Sequence, residues 1–240
     1  MKKIIITGGN GRFAKILKKE FYGKNIFYFS KKELDITKFN LIEKKIKKIK
    51  PKIILHLAAL SKPLDIHEKN IIKSIDTNII GTCNLVKISQ NFKIKLIYMS
   101  SHYVYPCTSG NYKETDALLP ANNYSWSKLG GECAVQMYLK NSLIVRVAMY
   151  ETPFSHPYGF TNINSNFLTH KEVANILPKI INKKGIINLG GKKMNVYNFA
   201  KKTNKKVKPK KYIYKKNTVR MMPDSSVNIN KLKLMLKRNI

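Results

Sequence analysis

A glycine-rich turn near the amino terminus constrains the fold of this chain more than any other sequence feature. Residues 7–14 read TGGNGRFA and lie between the apolar run 4–6 and a helical pattern. A strand that turns sharply into a helix leaves unpaired N–H groups at the helix start, where the positive end of the helix dipole also lies. Gly8 and Gly9 permit the tight turn, and Gly11 lets the backbone approach a ligand. We therefore expect a nucleotide pyrophosphate to bind at this turn.

The alternation of apolar runs and helical patterns predicts an α/β fold. Six short apolar runs are typical of strands that are buried on both faces of a parallel sheet. The predicted strands are 3–7, 25–29, 52–56, 95–99, 142–146 and 186–189. The predicted helices are 12–22, 38–49, 68–90, 122–140 and 170–182. The expected fold is a Rossmann-type doubly wound parallel sheet with a small, shortened carboxy-terminal portion.

The strong positive charge of the chain is not, by itself, a sign of nucleic-acid binding. The formal net charge is +33, but only four of the 46 Lys and Arg residues are arginine. Proteins that recognise phosphates and bases favour the planar fork of arginine. A lysine excess spread along the whole chain indicates a compositional bias on solvated helix faces, and we expect no specific nucleic-acid partner.

Sequence features that govern cellular location predict a cytoplasmic protein with no membrane partner. No run approaches the roughly 20 apolar residues that cross a bilayer, and no cleavable signal precedes the first strand. The three cysteines are widely separated, with no pair at metal-ligand spacing. We expect them to be reduced thiols.

Further motifs follow the glycine-rich turn in a characteristic order. They are 33–37 (ELDIT), 56–59 (HLAA), 76–82 (DTNIIGT), 99–105 (MSSHYVY) and 124–128 (YSWSK), after 6–11 (ITGGNG). In order and spacing, this set resembles the extended short-chain dehydrogenase/reductase family, and most closely its dTDP-4-dehydrorhamnose reductase group of sugar-nucleotide reductases. The resemblance covers nearly the whole chain, and the segment 222–228 (MPDSSVN) resembles the substrate-side segment of that group.

This resemblance implies a division of the chain into two parts. We expect 1–150 to form an NAD(P)-binding Rossmann domain and 151–240 a small substrate-binding portion that packs on it and is not an independent domain. Only the 22 residues between Arg146 and Thr169 separate the fifth strand from the next helical pattern. The sugar pocket is therefore expected to be smaller or more open than in the family.

Position, rather than spacing, singles out Tyr124 as a candidate catalytic residue. The Tyr-x-x-x-Lys spacing occurs four times in this lysine-rich chain, so the spacing alone proves nothing. Tyr124 opens a long helical pattern and follows Ser101, at the end of the fourth strand, by 23 residues. Residues four apart share a helix face, so Lys128 is expected near the phenol and should lower its pKa from about 10. Tyr124 could then pass a proton to a carbonyl oxygen that Ser101 orients.

The resemblance implies further site residues. It implies that Lys128 binds the nicotinamide ribose, that Asn78 helps to hold this lysine and its water, and that Asp35 and Ile36 lie beside the adenine ring. The expected catalytic residues are Tyr124, Lys128, Ser101 and Asn78. The expected cofactor-binding residues are Gly8, Gly9, Asn10, Gly11, Arg12, Phe13, Ser30, Lys31, Asp35, Ile36, Leu57, Ala58, Ala59 and Lys128. No metal ligands are expected.

The end of the second strand bears on the choice of cofactor. Sites that prefer NAD place an Asp or Glu there to bind the ribose 2′-hydroxyl. This chain has Ser30, Lys31 and Lys32 instead. We expect no carboxylate to oppose a 2′-phosphate, which the two lysines would attract. NADPH is the expected cofactor, and NADH stays open.

The expected function is NAD(P)H-dependent reduction of a nucleotide-linked 4-keto-6-deoxy sugar, a step of nucleotide-sugar and polysaccharide biosynthesis with Tyr124 as the proton donor. The related 4,6-dehydratases carry an Asp-Glu pair where this chain has His102 and Tyr103. Three alternatives stay open: a catalytically weak regulatory subunit that binds a sugar nucleotide or NADP, a sugar-nucleotide epimerase of the same family, and a polyanion-binding protein that uses the lysine-rich run 201–216. A homodimer also stays open.

Overall fold

The computed structural model describes residues 2–216 and 218–237, and its strands form one large sheet and three small ones. The strands are β1 (Ile4–Thr7), β2 (Ile26–Phe29), β3 (Ile53–His56), β4 (Lys95–Ser101), β5 (Ser142–Val147), β6 (Met149–Tyr150), β7 (Tyr158–Phe160), β8 (Asn164–Ser165), β9 (Leu168–Thr169), β10 (Gly185–Leu189), β11 (Met194–Asn195) and β12 (Lys208–Lys210). The large sheet is parallel throughout, in the order β2-β1-β3-β4-β5-β10. Each of the six predicted strands is confirmed to within two residues.

Helices cover both faces of the large sheet. They are α1 (Arg12–Glu20), α2 (Phe39–Ile49), α3 (Ile66–Lys69), α4 (Ile71–Ser74), α5 (Gly81–Asn91), α6 (Asn123–Gln136), α7 (His170–Ile180), α8 (Val196–Thr203) and α9 (Asn230–Lys237). A π-helical turn, Ile75–Ile80, joins α4 to α5, and short 3₁₀ turns follow β4 and precede β5. Among the residues that the structure describes, we find no helix with the length and apolar content needed to cross a membrane.

Alternate residues of each strand point to opposite faces and enter two separate cores. On β1, Ile4 and Ile6 pack in the core under α1, α7 and α9, whereas Ile5 packs in the core under α2, α5 and α6. Continuous apolar strands are the pattern expected for a sheet that is covered on both sides. The prediction of a Rossmann-type doubly wound fold is therefore confirmed.

The order of the strands predicts a ligand-binding crevice above β1 and β3. Within the sheet, β2 is the neighbour of β1 on one side and β3 is its neighbour on the other. The chain therefore reverses its direction across the sheet at β1, and the carboxyl ends of β1 and β3 flank a topological switch point. Ligands of open α/β sheets bind at such points. The glycine-rich turn follows β1 and therefore lies at this crevice.

The segment after residue 150 contributes to two parts of the fold. Its strand β10 pairs with β5, and its helices α7 and α9 pack on the large sheet. The short strands β7, β8, β11 and β12, with β6 just before this segment, instead lie around a small aromatic core that contains Phe154, Phe167 and Phe199. The functional division at residue 150 stays a prediction. The segment after residue 150 completes the Rossmann sheet and also forms the small portion.

The predicted helical stretch near 68–90 is confirmed from residue 71 onward, but it is interrupted at Asn70. The structure has α3, α4, the π-helical turn and α5 in this region. Asn70 interrupts the pattern in a non-helical conformation (φ −142°, ψ 78°), and its side chain accepts a hydrogen bond from the N–H of Lys73. Asparagine side chains favour such caps over helix interiors. Helix α6 likewise ends at Gln136, before the predicted limit of 140.

Candidate functional site

The glycine-rich turn has the geometry that a phosphate-binding turn requires. Gly8 has a φ of +69°, and a Cβ there would lie 2.7 Å from the Cα of Ala58. Gly11 is the residue before α1, where no side chain caps the free N–H groups and no acidic residue lies in the first turn. These open N–H groups favour an anion, so the residues present fit a dinucleotide pyrophosphate.

The roles predicted for the other turn residues need one correction. Gly9 is required by close packing rather than by the turn, because a Cβ there would lie 2.9 Å from the carbonyl carbon of Tyr28 on β2. Phe13 is buried in the core, so only its backbone can face a ligand. Arg12 is half-exposed and lies 3.5 Å from the Glu151 carboxylate. Asn10 is exposed at the tip of the turn.

Buried hydrogen bonds join β1, β3 and α5 beneath the crevice. The Oγ1 atom of Thr82 donates to the carbonyl oxygen of Asn78 at 2.7 Å, so it accepts from Nε2 of His56 at 3.0 Å. The other ring nitrogen of His56 then accepts from Thr7, 2.9 Å away, whose Oγ1 in turn accepts from the N–H of Ala58. Burial lowers the pKa of His56 to about 3, which keeps this ring neutral. The predicted residues Leu57, Ala58 and Ala59 follow β3 directly and are partly buried.

A carboxylate returns to the end of β2, and whether it opposes a 2′-phosphate stays a prediction. The chain turns back after Ser30, and the Glu33 carboxylate accepts hydrogen bonds from both the N–H and the Oγ of Ser30, at 2.8 and 2.7 Å. These hydrogen bonds lower the pKa of Glu33. Lys31, the next residue after Ser30, is exposed. The end of β2 therefore carries both a cation and an anion.

The structure places Asp35 and Ile36 in a tight turn before α2. An Asp35 carboxylate oxygen accepts from the N–H and Oγ1 of Thr37, at 3.0 and 2.8 Å. Ile36 is buried and packs towards α5, where a Cβ on Gly81 would lie 2.7 Å from its Cδ1 atom. Their contact with an adenine ring stays a prediction.

Ser101 and Tyr124 meet at the carboxyl end of β4. Ser101 is buried at the strand end, where its Oγ accepts from the N–H of Tyr103 at 3.2 Å, and its hydroxyl acts on the nearby Tyr124 phenol by lowering its pKa. Asn122 caps α6 by accepting from the N–H of Ser125 at 3.0 Å, which places Tyr124 in the first turn of that helix. The structure therefore brings together two of the predicted catalytic side chains.

The expected lowering of the Tyr124 pKa is wrong for this structure. Burial raises the pKa of the Tyr124 phenol, and this effect exceeds the opposing effect of the Ser101 hydroxyl. Lys128 does not offset it, since its Nζ atom lies over the ring of Tyr98, 4.3 Å from the ring centroid. The phenol therefore keeps its proton at neutral pH.

Lys128 is almost fully buried, with an exposed fraction of 3%. Burial lowers the pKa of this ammonium to about 7, although the nearby Glu132 carboxylate acts in the opposite direction. The positive charge of Lys128 also lowers the pKa of His56 and the pKa of His67.

Asn78 lies on the π-helical turn and is buried. Its side-chain oxygen accepts from the N–H of Leu60 at 2.8 Å, and its side-chain nitrogen donates to the Leu60 carbonyl at 2.9 Å and to Oγ of Ser127 at 2.8 Å. Asn78 thus connects the loop after β3 with the helix that carries Lys128. Its predicted role in holding a water stays a prediction.

Sequence reasoning missed two groups around these residues. The ring of His67 lies 5.1 Å from that of Tyr124, and Nδ1 of His67 is 2.6 Å from Oγ of Ser74. Behind Lys128, the buried Arg146 donates to one oxygen of the fully buried Glu132, at 3.0 Å from Nε and 2.6 Å from Nη2. The sequence feature that could have predicted this ion pair is the arginine itself. It lies in a strand predicted to be buried on both faces, and a buried charge needs a partner.

Both the sequence and the fold of this chain are similar to those of known proteins. The sequence model of a family described as "RmlD substrate binding domain" matches residues 1–169. The dTDP-4-dehydrorhamnose reductase of Bacillus anthracis, solved in complex with NADP, is 26% identical with a TM-score of 0.85, covering 97% of this chain and 91% of that one.

Two curated relatives have names other than dTDP-4-dehydrorhamnose reductase. The dTDP-D-glucose 4,6-dehydratase of Dictyostelium discoideum is 30% identical over 243 residues, covering 85% of this chain and 52% of that protein. The methionine adenosyltransferase 2 subunit beta of Xenopus laevis is 30% identical over 156 residues, covering 61% of this chain and 46% of that protein. The chain therefore spans about half the length of these curated relatives.

Proposed function

The chain belongs to the RmlD substrate binding domain family, and from this membership we propose that it is an NADP(H)-dependent reductase of nucleotide-linked 4-keto-6-deoxy sugars. The observation that carries the proposal is the meeting of Ser101 and Tyr124 at the end of β4, one helical turn from the buried Lys128. A binding protein without chemistry would not need a proton donor at this place. The fold of the chain is like that of dTDP-4-dehydrorhamnose reductases.

A dinucleotide cofactor would lie along the crevice at the switch point. The open N–H groups at the start of α1 would hold its pyrophosphate, and the backbone from Leu57 to Ala59 would line its path. Lys31 would attract a 2′-phosphate, whereas Glu33 would accept a 2′-hydroxyl. The NADP in the solved B. anthracis reductase supports NADPH here, and NADH stays open. When bound, the reduced nicotinamide supplies a hydride.

Tyr124 would donate the proton that the reduced carbonyl oxygen needs. Its raised pKa keeps the phenol protonated at neutral pH, as a proton donor requires. Ser101, which lies near the phenol, would donate to the same carbonyl oxygen and fix its position.

The residues after Ser101 favour reduction over dehydration, although one curated relative is a dehydratase. In this chain, Nδ1 of the buried His102 donates to the carbonyl of Val147 at 3.0 Å, and burial lowers its pKa to about 4. Burial raises the pKa of the neighbouring Tyr103 phenol. Neither group carries the charge of the Asp-Glu pair that the dehydratases use, so the acid and the base for water elimination are missing at these positions.

A second function is favoured by the short substrate portion. Only 22 residues separate Arg146 from Thr169, and a relative is named as the beta subunit of a methionine adenosyltransferase. A regulatory subunit of this kind would bind NADP or a sugar nucleotide with little turnover. We place it second because it gives no role to the meeting of Ser101 and Tyr124 at the end of β4.

The two functions differ in turnover rather than in binding. The test incubates the full chain and NADPH with dTDP- and UDP-linked 4-keto-6-deoxyhexoses and follows both nicotinamide absorbance and the sugar product. Stoichiometric formation of a 4-hydroxy sugar supports the reductase. Tight NADPH binding without turnover of either substrate supports the regulatory subunit, and an isomerised sugar without net NADPH loss supports the epimerase alternative.

A further inference from the structure

Three charged residues from separate parts of the chain meet at the mouth of the crevice. Nζ of Lys62 lies 2.7 Å from one carboxylate oxygen of Glu151, and Nε of Arg12 lies 3.5 Å from the other. We call Arg12, Lys62 and Glu151 the crevice cluster. It contains two cations and one carboxylate, so it carries an excess positive charge.

The three residues are brought together by the topology of the sheet. Arg12 is the first residue of α1, Lys62 lies in the loop after β3, and Glu151 directly follows β6. The loops after β1 and β3 flank the switch point, where ligands of this fold class bind. The cluster therefore spans the crevice from the glycine-rich turn to the small carboxy-terminal portion.

Neighbouring groups hold the Glu151 carboxylate in place. Ser155 donates to Glu151 at 2.8 Å, and Nζ of Lys62 lies 4.5 Å from the centroid of the Tyr150 ring, which packs in the aromatic core of the small portion. Partial burial would raise the pKa of Glu151, but hydrogen bonds from Lys62 and Ser155 and the charges of Lys62 and Arg12 lower it to about 2. Glu151 is therefore an anion at neutral pH.

The two cations nevertheless stay accessible to a ligand. The side chains of Arg12 and Lys62 are 49% and 31% exposed, whereas that of Glu151 is 19% exposed. Arg12 adjoins the open N–H groups of α1, which favour an anion. A diphosphate carries more negative charge than one carboxylate and accepts from several donors at once, so it competes well for both cations.

We propose that Arg12 and Lys62 form a diphosphate-binding subsite in which Glu151 is the resident counter-ion that a bound nucleotide displaces. The inference rests on the proposed function, since it assigns the ligand to the cofactor or to the nucleotide sugar. Both ligands carry the same diphosphate chemistry. Lys62 is then a binding residue, and Glu151 is a residue that weakens binding by competing with the ligand.

The test compares dissociation constants for NADPH and for dTDP, measured by calorimetry on the full chain. The variants are Lys62→Gln, Glu151→Gln and the control Lys69→Gln, whose side chain is exposed and pairs with Asp65 outside the crevice. Loss of a hydrogen bond to a charged group corresponds to about tenfold weaker binding. We expect Lys62→Gln to weaken NADPH or dTDP binding by about this factor and Glu151→Gln to bind that ligand at least as tightly as wild type.

The two substitutions are expected to change ligand binding in different directions, which separates a binding role of the cluster from a structural one. If the cluster only braces the fold, either substitution breaks the same ion pair and both weaken binding. Weakening by Glu151→Gln, or no effect of Lys62→Gln on either ligand beyond that of Lys69→Gln, overturns the proposal. The ligand that responds to Lys62→Gln identifies the source of the diphosphate. A wild-type chain that binds neither ligand contradicts the proposed function itself, and the subsite with it.

Discussion

The side-chain nitrogen of Asn78 donates a 2.8 Å hydrogen bond to Oγ of Ser127, the residue before Lys128. Oγ of Ser127 in turn donates to the carbonyl oxygen of Tyr124 at 2.7 Å. The π-helical turn is therefore tied to the part of α6 that carries both the proposed proton donor and its lysine. The same Asn78 side chain makes two hydrogen bonds with the backbone of Leu60, which fixes the loop after β3.

Replacing Asn78 should cost more stability than its size suggests. Asn78→Ala removes a side chain that makes three buried hydrogen bonds and leaves their partners unpaired, which costs about 2–4 kcal/mol. Urea unfolding measures this cost. The matched control is Asn40→Ala on the exposed face of α2, which should change the unfolding free energy by less than about 0.5 kcal/mol. Equal costs for the two variants would contradict the bracing role of Asn78.

The buried Lys128 should make stability depend on pH. Its pKa in the fold is about 7, against about 10.4 for an unfolded lysine. Between these values the unfolded chain binds a proton that the folded chain does not, so the unfolding free energy rises with pH. The variant Lys128→Met has no titratable group at this position, so its unfolding free energy should lack this part of the rise with pH. Parallel pH profiles for wild type and variant in urea unfolding would show that Lys128 keeps an ordinary pKa.

The fold should lose stability when only one partner of the Arg146–Glu132 ion pair is removed. Arg146→Met leaves the fully buried Glu132 carboxylate without its partner, which should cost about 3–5 kcal/mol. The double variant Arg146→Met with Glu132→Leu removes both charges and should recover a large part of this loss. Urea unfolding of the two variants checks the expectation. A double variant less stable than Arg146→Met alone would refute it.

The end of β2 should set the preference between the two nicotinamide cofactors. The Glu33 carboxylate, held at Ser30, would repel a 2′-phosphate, and we expect an effect of about fivefold on the cofactor ratio. Glu33→Gln should lower the KM for NADPH relative to NADH by about this factor, and Lys31→Gln should raise it. The control Glu43→Gln, on α2 in an exposed pair with Lys47, should leave the ratio unchanged. A Glu33→Gln ratio equal to that of the control would remove Glu33 from the cofactor site.

Features set by neighbouring residues were predictable from the sequence. The apolar runs predicted all six strands of the large sheet because a strand buried on both faces requires continuous apolar residues. Gly8 was predictable because a strand-to-helix turn needs a positive φ. The position of Tyr124 after Ser101 was predictable because parallel strands and their helices bring successive strand ends to one edge of the sheet.

Features set by distant contacts were not predictable from the sequence. Lys62 and Glu151 are 89 positions apart, and the sequence does not indicate that they meet. The raised pKa of Tyr124 depends on how deeply the helix start is buried, and the helical spacing to Lys128 alone predicted the opposite shift.

The most direct test of the central claim compares Tyr124→Phe with Tyr197→Phe in NADPH oxidation driven by a nucleotide-linked 4-keto-6-deoxy sugar. Tyr197 has the same four-residue spacing to a lysine, Lys201, but lies on α8 away from Ser101. We predict that Tyr124→Phe loses turnover by about a hundredfold or more while its NADPH affinity stays within about twofold of wild type, and that Tyr197→Phe keeps wild-type turnover. Wild-type turnover in Tyr124→Phe would contradict the assignment of this phenol as the proton donor.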